Sequence, residues 1–521
     1  MDAVSPITDR ATLWRLGHMI DAHAQTAPGS TALIVGDQRR RITYADLAEL
    51  VVEHCAALLR RGLHSGDVVA LRSSNSIEFV VALLGAARAD LVVATLDPAL
   101  PWTERRARMD RVGARVVLTD ARRPDPIGGE ADCPEWCLQI TTSGAKPEMR
   151  LLAPDPGRDA ASSLSGLTDD DALIMFTSGT TGSPKLVPWT HGNMAASIDG
   201  VASAYQLSPS DATVAAMPLF HGHGLIAAML ATLSTGGAVV LPARGRFSAH
   251  TFWDDLAAVG ATWYTAVPTI HQILLERAPV DRRGYPGRLR FIRSCSAPLS
   301  TATMRRMEAV FDAPVLAAYG MTETTHQASS VLLSDDEPTR MQTVGTPTGL
   351  SVRVVDDNRG ITCPQDASGE IWLQGAGVVR GYLGDAAANA TTFVDGWFRT
   401  GDLGVVDGHG RVVVQGRIKN QINRGGEKIS PERVEEILIA HPGVTEAAVF
   451  GVADALYGEH VGAIVVRRRG ADLDAAGLTS YCREHLAPFE IPEQITFADQ
   501  LPLTAKGSVD RTKLADLVAS R

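Results

Sequence analysis

The chain lacks several features that mark particular classes of protein. It has 521 residues and a formal net charge of −10, and the absence of a long basic run argues against a nucleic-acid partner. No apolar run is long enough to span a bilayer, and residues 1–15 contain no signal-peptide core. We therefore expect a cytoplasmic protein with no membrane span.

Cysteine and lysine are both scarce. Only Cys133 and Cys137 of the 6 cysteines are close together, and no second pair or histidine cluster completes a zinc site, so free thiols are expected. The lysines are Lys146, Lys185, Lys419, Lys428, Lys506 and Lys513. Arginine supplies the other cations, and the two residues are not interchangeable. Lysines kept in glycine-rich loops and near the C-terminus are therefore candidate functional residues, with random retention under codon bias as the alternative.

The chain is too long for one core, so two or more domains are expected. Short apolar runs alternate with helical stretches up to residue 291, which predicts parallel α/β layers, and β-like runs follow after Val344. Pro124–Asp170 is rich in turn-forming residues and predicts a long surface connection. We predict an α/β fold with an N-terminal domain (1–416), a hinge (417–420) and a C-terminal domain (421–521).

Periodicity predicts the individual elements. A helix is expected over residues 43–63, starting after a Thr43 cap, and another over Pro431–Ala440. Predicted strands are Val68–Leu71, Leu91–Leu96, Val116–Leu118, Ala172–Phe176, Ala238–Leu241, Trp263–Ala266, Leu289–Ile292, Pro314–Ala318, Ser351–Val355, Gly369–Leu373, Gly404–Val406, Arg411–Gln415, Ala447–Val452 and Ala463–Arg467.

One loop carries the strongest functional signal. The strand Ala172–Phe176 runs into Thr177-Ser-Gly-Thr-Thr-Gly-Ser-Pro-Lys185. Glycine N–H groups, hydroxyls and a lysine together can cradle phosphate oxygens, although the spacing is not that of a Walker A loop. A polar surface turn is the alternative.

Four further segments combine glycine with charged or aromatic residues. In Tyr319-Gly-Met-Thr-Glu323, a ring could stack on a base, while the hydroxyl and carboxylate could hold phosphate and Mg²⁺. Asp402, in Gly396-Trp-Phe-Arg-Thr-Gly-Asp402, is suited either to ribose hydroxyls or to capping a turn. Gly416–Pro431 joins cations to a double glycine, and Lys506 lies in a glycine-flanked loop.

These segments, in this order, resemble the signature motifs of the acyl-adenylate-forming synthetases, and the resemblance covers essentially the whole chain. It implies a large N-terminal domain of α/β layers plus a β-barrel, and a small, mobile α+β C-terminal lid. It also implies the chemistry. A carboxylate attacks the α-phosphate of Mg·ATP to give acyl-AMP and pyrophosphate, and a thiol, usually that of CoA, then attacks the acyl-AMP.

The resemblance also implies roles for individual residues. Thr177, Ser178, Gly179, Thr180, Thr181, Gly182 and Lys185 would hold the β- and γ-phosphates. Tyr319 would stack on adenine, with Ser296, Ala297 and Pro298 on its other side. Gly320 and Met321 would also bind ATP. Thr322 would contact the α-phosphate. The Mg²⁺ would be bound by Glu323 and Thr177, and the ribose by Asp402 and Arg417. Lys506 would bridge the acyl carboxylate and the α-phosphate, where a cation stabilises developing charge. Lys419 would be the hinge, and Gly425, Gly426 and Lys428 would contact CoA.

The acyl pocket of this family lies between three segments, which here contribute the polar residues His221, His223, Ser296 and His326. Polar donors converging on a small pocket suit a second carboxylate. The segments resemble those of oxalate–CoA ligases, which implies that Ser296 and His326 contact the distal carboxylate and that His221 is catalytic. Gly222 and Gly320 depart from that pattern and predict a larger pocket. Packing is the alternative role for His223 and His326.

We therefore expect an ATP-dependent acid–CoA ligase for a short dicarboxylate such as oxalate. The alternatives are a short- or medium-chain fatty acyl-CoA synthetase and an acyl-AMP ligase that loads a carrier protein, which is less favoured because no carrier domain follows Arg521. A third is an inactive nucleotide-binding relative, against which the presence of Lys506, Glu323, Asp402 and Arg417 argues.

Overall fold

The helices and strands in the part of the chain that the structure describes form five β-sheets. The structure, a computed structural model, describes residues 14–120, 133–154, 164–177, 184–278, 289–356, 359–503 and 509–514. Its α-helices are Asp21–Thr26, Tyr44–Arg60, Ile77–Arg88, Trp102–Val112, His191–Ala204, Ala231–Ser234, Phe252–Val259, Pro268–Glu276, Thr301–Phe311, Glu337–Gln342, Ala386–Thr392, Pro431–Ala440 and Ala475–His485. Short 3₁₀ helices lie at Leu16–His18, Thr322–Thr324, Ile418–Asn420 and Arg511–Lys513, and a π-helix at His223–Leu230.

The largest sheet has seven strands. In spatial order they are Glu148–Leu152, Glu135–Thr141, Val116–Asp120, Val68–Arg72, Val92–Leu96, Asp171–Thr177 and Lys185–Thr190. Neighbouring strands in the centre are parallel and the two edge pairs are antiparallel. The central strands are buried on both faces, as parallel strands covered by helices are.

Two smaller sheets complete the α/β layers. One places Trp263–Ala266, Phe291–Ser294 and Val315–Tyr319 in parallel, followed by the short antiparallel strands Ser329–Ser330 and Thr346–Pro347. The other has the order Ala212–Val214, Ala238–Val240, Thr31–Val35 and Arg40–Thr43.

The predicted β-rich region is a six-stranded antiparallel sheet. Its strands are Ile361–Thr362, Leu350–Asp356, Gly369–Gly375, Trp397–Val406, Phe393–Val394 and Val412–Arg417. Backbone hydrogen bonds of Val344 and Gly345 with Val412 continue it toward the preceding sheet.

The fifth sheet forms the core of the C-terminal domain. Its strands are Glu427–Ile429, Ile422–Arg424, Gly458–Arg467, Val444–Asp454 and Gln494–Ala498. A separate hydrophobic cluster, including Val434, Leu438, Val449 and Leu478, packs the helices of this domain against its sheet.

Local sequence signals explain several elements. The helix Tyr44–Arg60 begins after Thr43, whose side chain accepts from the Asp46 N–H while Asp46 accepts from the Thr43 N–H. The predicted helix Pro431–Ala440 has Ser430 as its N-cap and Pro431 in its first turn. Both helices are confirmed.

Two predictions differ from the structure. Pro124–Asp170 is not simply a surface connection, because it contains the paired strands Glu135–Thr141 and Glu148–Leu152. The strand predicted at Leu289–Ile292 lies instead at Phe291–Ser294. That strand continues into polar residues because Arg293 is completely buried in a hydrogen-bonded network.

Candidate active site

A cleft of about 1100 Å³ lies between the larger sheets and the C-terminal domain. Residues from most of the predicted motifs line it: Thr177, Lys185, His221, Ser296, Ala297, Pro298, Gly320, Met321, Thr322, Glu323, His326, Arg417 and Lys419. The C-terminal domain contributes Glu435, Leu503, Val509 and Arg511, among others. Ser178, Gly179, Thr180, Thr181, Gly182 and Lys506 lie outside the described residues.

The expected phosphate end of the cleft depends on an aromatic residue that sequence analysis missed. Thr177 and Lys185 lie opposite each other on adjacent antiparallel strands, at the two ends of the predicted loop. The Lys185 ammonium lies 4.2 Å from the centre of the Tyr382 ring. The Tyr382 hydroxyl donates to Glu323 Oε1 at 2.8 Å. Tyr382 therefore holds a predicted phosphate ligand and a predicted metal ligand at the same time.

The donor set at Glu323 suits Mg²⁺. No cluster of three or more His, Cys, Asp or Glu side chains that could hold a metal occurs in the part of the chain that the structure describes. Mg²⁺ is usually held by one or two carboxylates together with substrate phosphates rather than by a protein cage. A single ordered carboxylate beside Thr177 and Lys185 fits that arrangement.

The predicted ribose residues are brought together. Asp402 is buried, and its oxygens accept from the Tyr319 hydroxyl and form an ion pair with Arg417, 2.6 Å from Oδ1 to Nε. Burial raises the pKa of Asp402, while Arg417 and the Tyr319 hydrogen bond oppose that rise. Each oxygen of the Asp402 carboxylate has two lone pairs, so Asp402 can still accept hydrogen bonds from ribose hydroxyls.

A buried carboxylate supports the loop before Asp402. Glu370 accepts from the Gly401 N–H at 3.0 Å, from Trp372 Nε1 at 2.8 Å and from Arg399 Nε at 2.9 Å. Gly401 has a φ of +68°, a conformation that favours glycine. Glu370 could not be predicted from the sequence, because a lone Gly-Glu pair in a strand carries no distinguishing signal.

The predicted acyl pocket is organised by Arg293, for which no role was predicted from the sequence. Arg293 is fully buried and has no acidic partner among the described residues. Its Nη2 donates to His326 Nε2 at 3.1 Å and to Gln327 Oε1 at 2.8 Å, and its Nη1 donates to Thr265 Oγ1 at 3.2 Å. A buried cation of this kind is costly unless an anion compensates it.

His223 links this network to Ser296. His223 Nε2 lies 2.6 Å from Thr265 Oγ1, and its Nδ1 lies 3.0 Å from Ser296 Oγ. The His223 and His326 rings stack with centroids 5.2 Å apart. Burial lowers the pKa of both imidazoles well below the usual value, and the Arg293 charge lowers each further, so both rings are neutral.

The backbone at this pocket is unusual. Ser296 has a φ of +75° and His326 a φ of +83°, conformations that non-glycine residues rarely adopt. His223 begins a π-helix, a form found frequently at functional sites. Strain of this kind persists where the surrounding structure imposes it, and such residues cluster at ligand sites.

The prediction that Gly222 and Gly320 enlarge the pocket is wrong. A Cβ on Gly222 would lie 2.9 Å from Trp189 and 3.0 Å from the His326 Cβ, and one on Gly320 would lie only 1.8 Å from the His326 carbonyl oxygen. Neighbouring groups already fill the space that these glycines leave. The glycines therefore let His326 approach closely and add no room to the pocket.

The expected CoA residues lie away from the cleft wall. Gly425 and Gly426 form the turn between strands Ile422–Arg424 and Glu427–Ile429, with φ values of +60° and +98°, and Lys428 is exposed beside them. Positive φ alone accounts for two glycines there. Lys419, the predicted hinge, lies in the 3₁₀ helix Ile418–Asn420 at the edge of the cleft.

Comparison with known proteins identifies the family. The AMP-binding enzyme family matches residues 20–383, and its C-terminal domain family matches residues 433–508. The chain belongs to the AMP-binding enzyme family. The predicted resemblance and enzyme class, an AMP-forming acid–CoA ligase that uses ATP, Mg²⁺ and CoA, are thereby confirmed.

Individual relatives span nearly the whole chain. An oxalate–CoA ligase from Arabidopsis thaliana is 39% identical over 96% of this chain and 98% of its own length. A sulfoacetate–CoA ligase from Cupriavidus necator is 36% identical over 96% and 97%. The crystal structure of ATP-bound MatB from Rhodopseudomonas palustris has a TM-score of 0.84 at 30% identity, covering 96% and 98%. The predicted fold class is confirmed.

No helix in the described ranges is both long and apolar enough to cross a lipid bilayer. The assigned roles of the individual cleft residues and the domain limits 1–416, 417–420 and 421–521 remain predictions.

Proposed function

We propose that this ligase activates a short dicarboxylate such as oxalate, converting it with ATP and CoA to the acyl-CoA, AMP and diphosphate through an acyl-AMP intermediate. One observation carries the proposal: the fully buried Arg293, which has no acidic partner among the described residues, lies directly behind His326 at the acyl pocket. An acid with a second anionic group would supply the missing negative charge.

Three further findings support a short acid with a second anionic group. The space beside Gly222 and Gly320 is filled by Trp189 and His326, so these glycines provide no extra room for a longer acyl chain. Ser296 and His326 both face the cleft and are hydrogen-bonded into the Arg293 network. Two of the relatives, at 39% and 36% identity, are named after oxalate and sulfoacetate, acids with a second anionic group.

The described residues proposed to bind ATP lie in the same cleft as the acyl pocket or beside it. Lys185 and Glu323 would hold the phosphates and Mg²⁺, and Asp402 and Arg417 the ribose, so that positioning and electrostatics provide most of the catalysis. Lys506 would contribute a cation at the reacting carboxylate and α-phosphate.

The decisive experiment measures diphosphate release with oxalate, malonate, acetate and octanoate, each with and without CoA. We expect the highest kcat/KM with oxalate, and oxalyl-CoA as the product. A preference for octanoate or acetate would favour a fatty acyl-CoA synthetase. Acyl-AMP that accumulates even with CoA present would favour loading of a carrier protein, and no diphosphate with any acid would indicate an inactive relative.

A further inference from the structure

Two chains of hydrogen bonds behind the acyl pocket start at Arg293. We call them relays: the first runs from Arg293 to His326, and the second from Arg293 through Thr265 and His223 to Ser296. A guanidinium carries only donors, so every group that Arg293 contacts must accept from it. Those groups include His326, Gln327 and Thr265. The direction of each subsequent hydrogen bond follows from this starting point.

The first relay has one step. Arg293 Nη2 donates to His326 Nε2, so Nε2 must carry a lone pair, and the proton of the neutral ring lies on Nδ1. Gln327 cannot reverse this arrangement, because its Oε1 also accepts from Arg293 while its Nε2 donates to Ser330 Oγ at 2.6 Å. His326 therefore faces the cleft as a donor.

The second relay has three steps. Thr265 Oγ1 accepts from Arg293, and no acceptor for its proton other than His223 Nε2 is found among the described residues. Thr265 therefore donates to His223 Nε2, which places the His223 proton on Nδ1. That proton is donated to Ser296 Oγ, and the Ser296 hydroxyl is left free to donate into the cleft.

We propose that Arg293 is a positioning residue that directs both relays, so that Ser296 and His326 present two donors and no acceptor to the distal group of the acid. The inference rests on the proposed function, since it takes the distal group to lie against these two side chains. Two donors match the two oxygens of a carboxylate, or two of a sulfonate. An amide offers one oxygen and one NH₂, so one donor of the site would face another donor.

The relay can be tested without a substrate. In protein labelled with ¹⁵N in its histidine rings, we expect His223 and His326 to be neutral and protonated on Nδ1 near pH 7. His223→Gln and His326→Gln variants assign the signals. A proton on Nε2 of either ring would overturn the proposal, whatever acid the enzyme uses.

The consequence for specificity can be tested with oxalate and oxamate, which differ only in the distal group. We expect wild-type enzyme to favour oxalate by at least about tenfold in kcat/KM, since hydrogen bonds to a charged group are stronger than those to a neutral group. Thr265→Val interrupts the second relay and should reduce that ratio by about tenfold, and Thr265→Ser should restore it. An unchanged ratio in Thr265→Val would contradict the relay.

A matched control separates this effect from general damage to the fold. Thr213 is also a fully buried strand residue, but its hydroxyl has no hydrogen-bond partner among the described residues. Thr213→Val should leave the ratio unchanged, and a loss equal to that of Thr265→Val would contradict the proposal. If wild-type enzyme does not use oxalate, the proposed function fails, while the ring-proton measurement still decides the relay.

Discussion

The Tyr382 hydroxyl donates a hydrogen bond to Glu323 at 2.8 Å, from a strand-to-helix connection 59 residues further along the chain. The ring of the same tyrosine lies against the Lys185 ammonium. One side chain thus orients a carboxylate expected to bind Mg²⁺ and a lysine expected to bind phosphate, through two different kinds of contact. Each contact can be removed separately.

We predict that Tyr382→Phe weakens binding of Mg·ATP by about 2 kcal/mol, the range for losing a hydrogen bond to a charged group. The variant keeps the ring under Lys185, so binding of ATP without Mg²⁺ should change little. Tyr382→Leu removes the ring as well and should also weaken metal-free binding, by about 0.5–1 kcal/mol. Calorimetric titration with ATP, with and without Mg²⁺, measures both effects.

Tyr44→Phe is a suitable control for Tyr382→Phe. Its buried hydroxyl donates to the carbonyl oxygens of Leu233 and Gly237, away from the cleft. This variant should lose stability but bind Mg·ATP normally. Equal weakening with and without Mg²⁺ in Tyr382→Phe would exclude a role for Tyr382 at the metal site.

The hinge assignment predicts that the two half-reactions can be separated. Lys419→Pro fixes φ at a residue whose backbone angles are expected to change when the C-terminal domain rotates. Adenylation should survive, whereas transfer to CoA should fail. Lys419→Ala, which keeps the backbone free, is the control and should support both steps. Normal acyl-CoA formation by Lys419→Pro would show that Lys419 is not the hinge.

The role expected for Lys506 predicts a loss of adenylation rather than of transfer to CoA. Lys506→Ala should slow adenylation by ~2–4 kcal/mol in activation free energy, as when one preorganised electrostatic donor is lost. Acyl-CoA formation from supplied acyl-AMP should be largely spared. Lys513→Ala, which removes a mostly exposed lysine paired with Asp510, is the control and should affect neither step. Equal losses in both half-reactions would refute the assignment of Lys506.

Much of the fold could be predicted because local signals agree with the final packing. The Thr43 cap, the Ser430-Pro431 start and the buried central strands all have direct signatures in the sequence. The paired strands within Pro124–Asp170 were missed because they lie at a sheet edge, where polar residues are tolerated and strand patterns are weak.

The candidate site was only partly predictable, for a physical reason. Glycine-rich loops and charged motifs can be recognised in sequence, so Lys185, Glu323 and Asp402 could be named as candidates, and their roles remain predictions. Arg293 lay just beyond the predicted strand Leu289–Ile292, and Tyr382 looked like an ordinary aromatic residue. Their importance comes from contacts with residues 33 and 59 positions away, which only the folded chain brings together.

A buried histidine outside the cleft predicts sensitivity of the fold to acid. His54 is fully buried against Gly85, and burial lowers its pKa from 6.5 to about 4. The unfolded chain binds this proton below pH 6.5 and the folded chain does not, so stability should fall as pH drops from 6.5 toward 4. His54→Leu should reduce the loss of unfolding free energy between pH 7 and pH 5 by about 2 kcal/mol. Urea unfolding at the two pH values measures it, and an unchanged difference would exclude His54 as the source.

The sharpest test of the substrate proposal is His326→Ala. It removes a donor expected to face the distal carboxylate, so kcat/KM for oxalate should fall by ~2–5 kcal/mol in apparent activation free energy, the range for leaving a buried charge without its partner. Acetate places no charge at that position and should be affected far less. His326→Asn, which can still donate, should recover part of the oxalate activity. If the change harms both acids alike, or if wild-type enzyme prefers a medium-chain fatty acid, the dicarboxylate assignment is wrong. The ligase chemistry would then stand, and the buried charge of Arg293 would need a different counterpart.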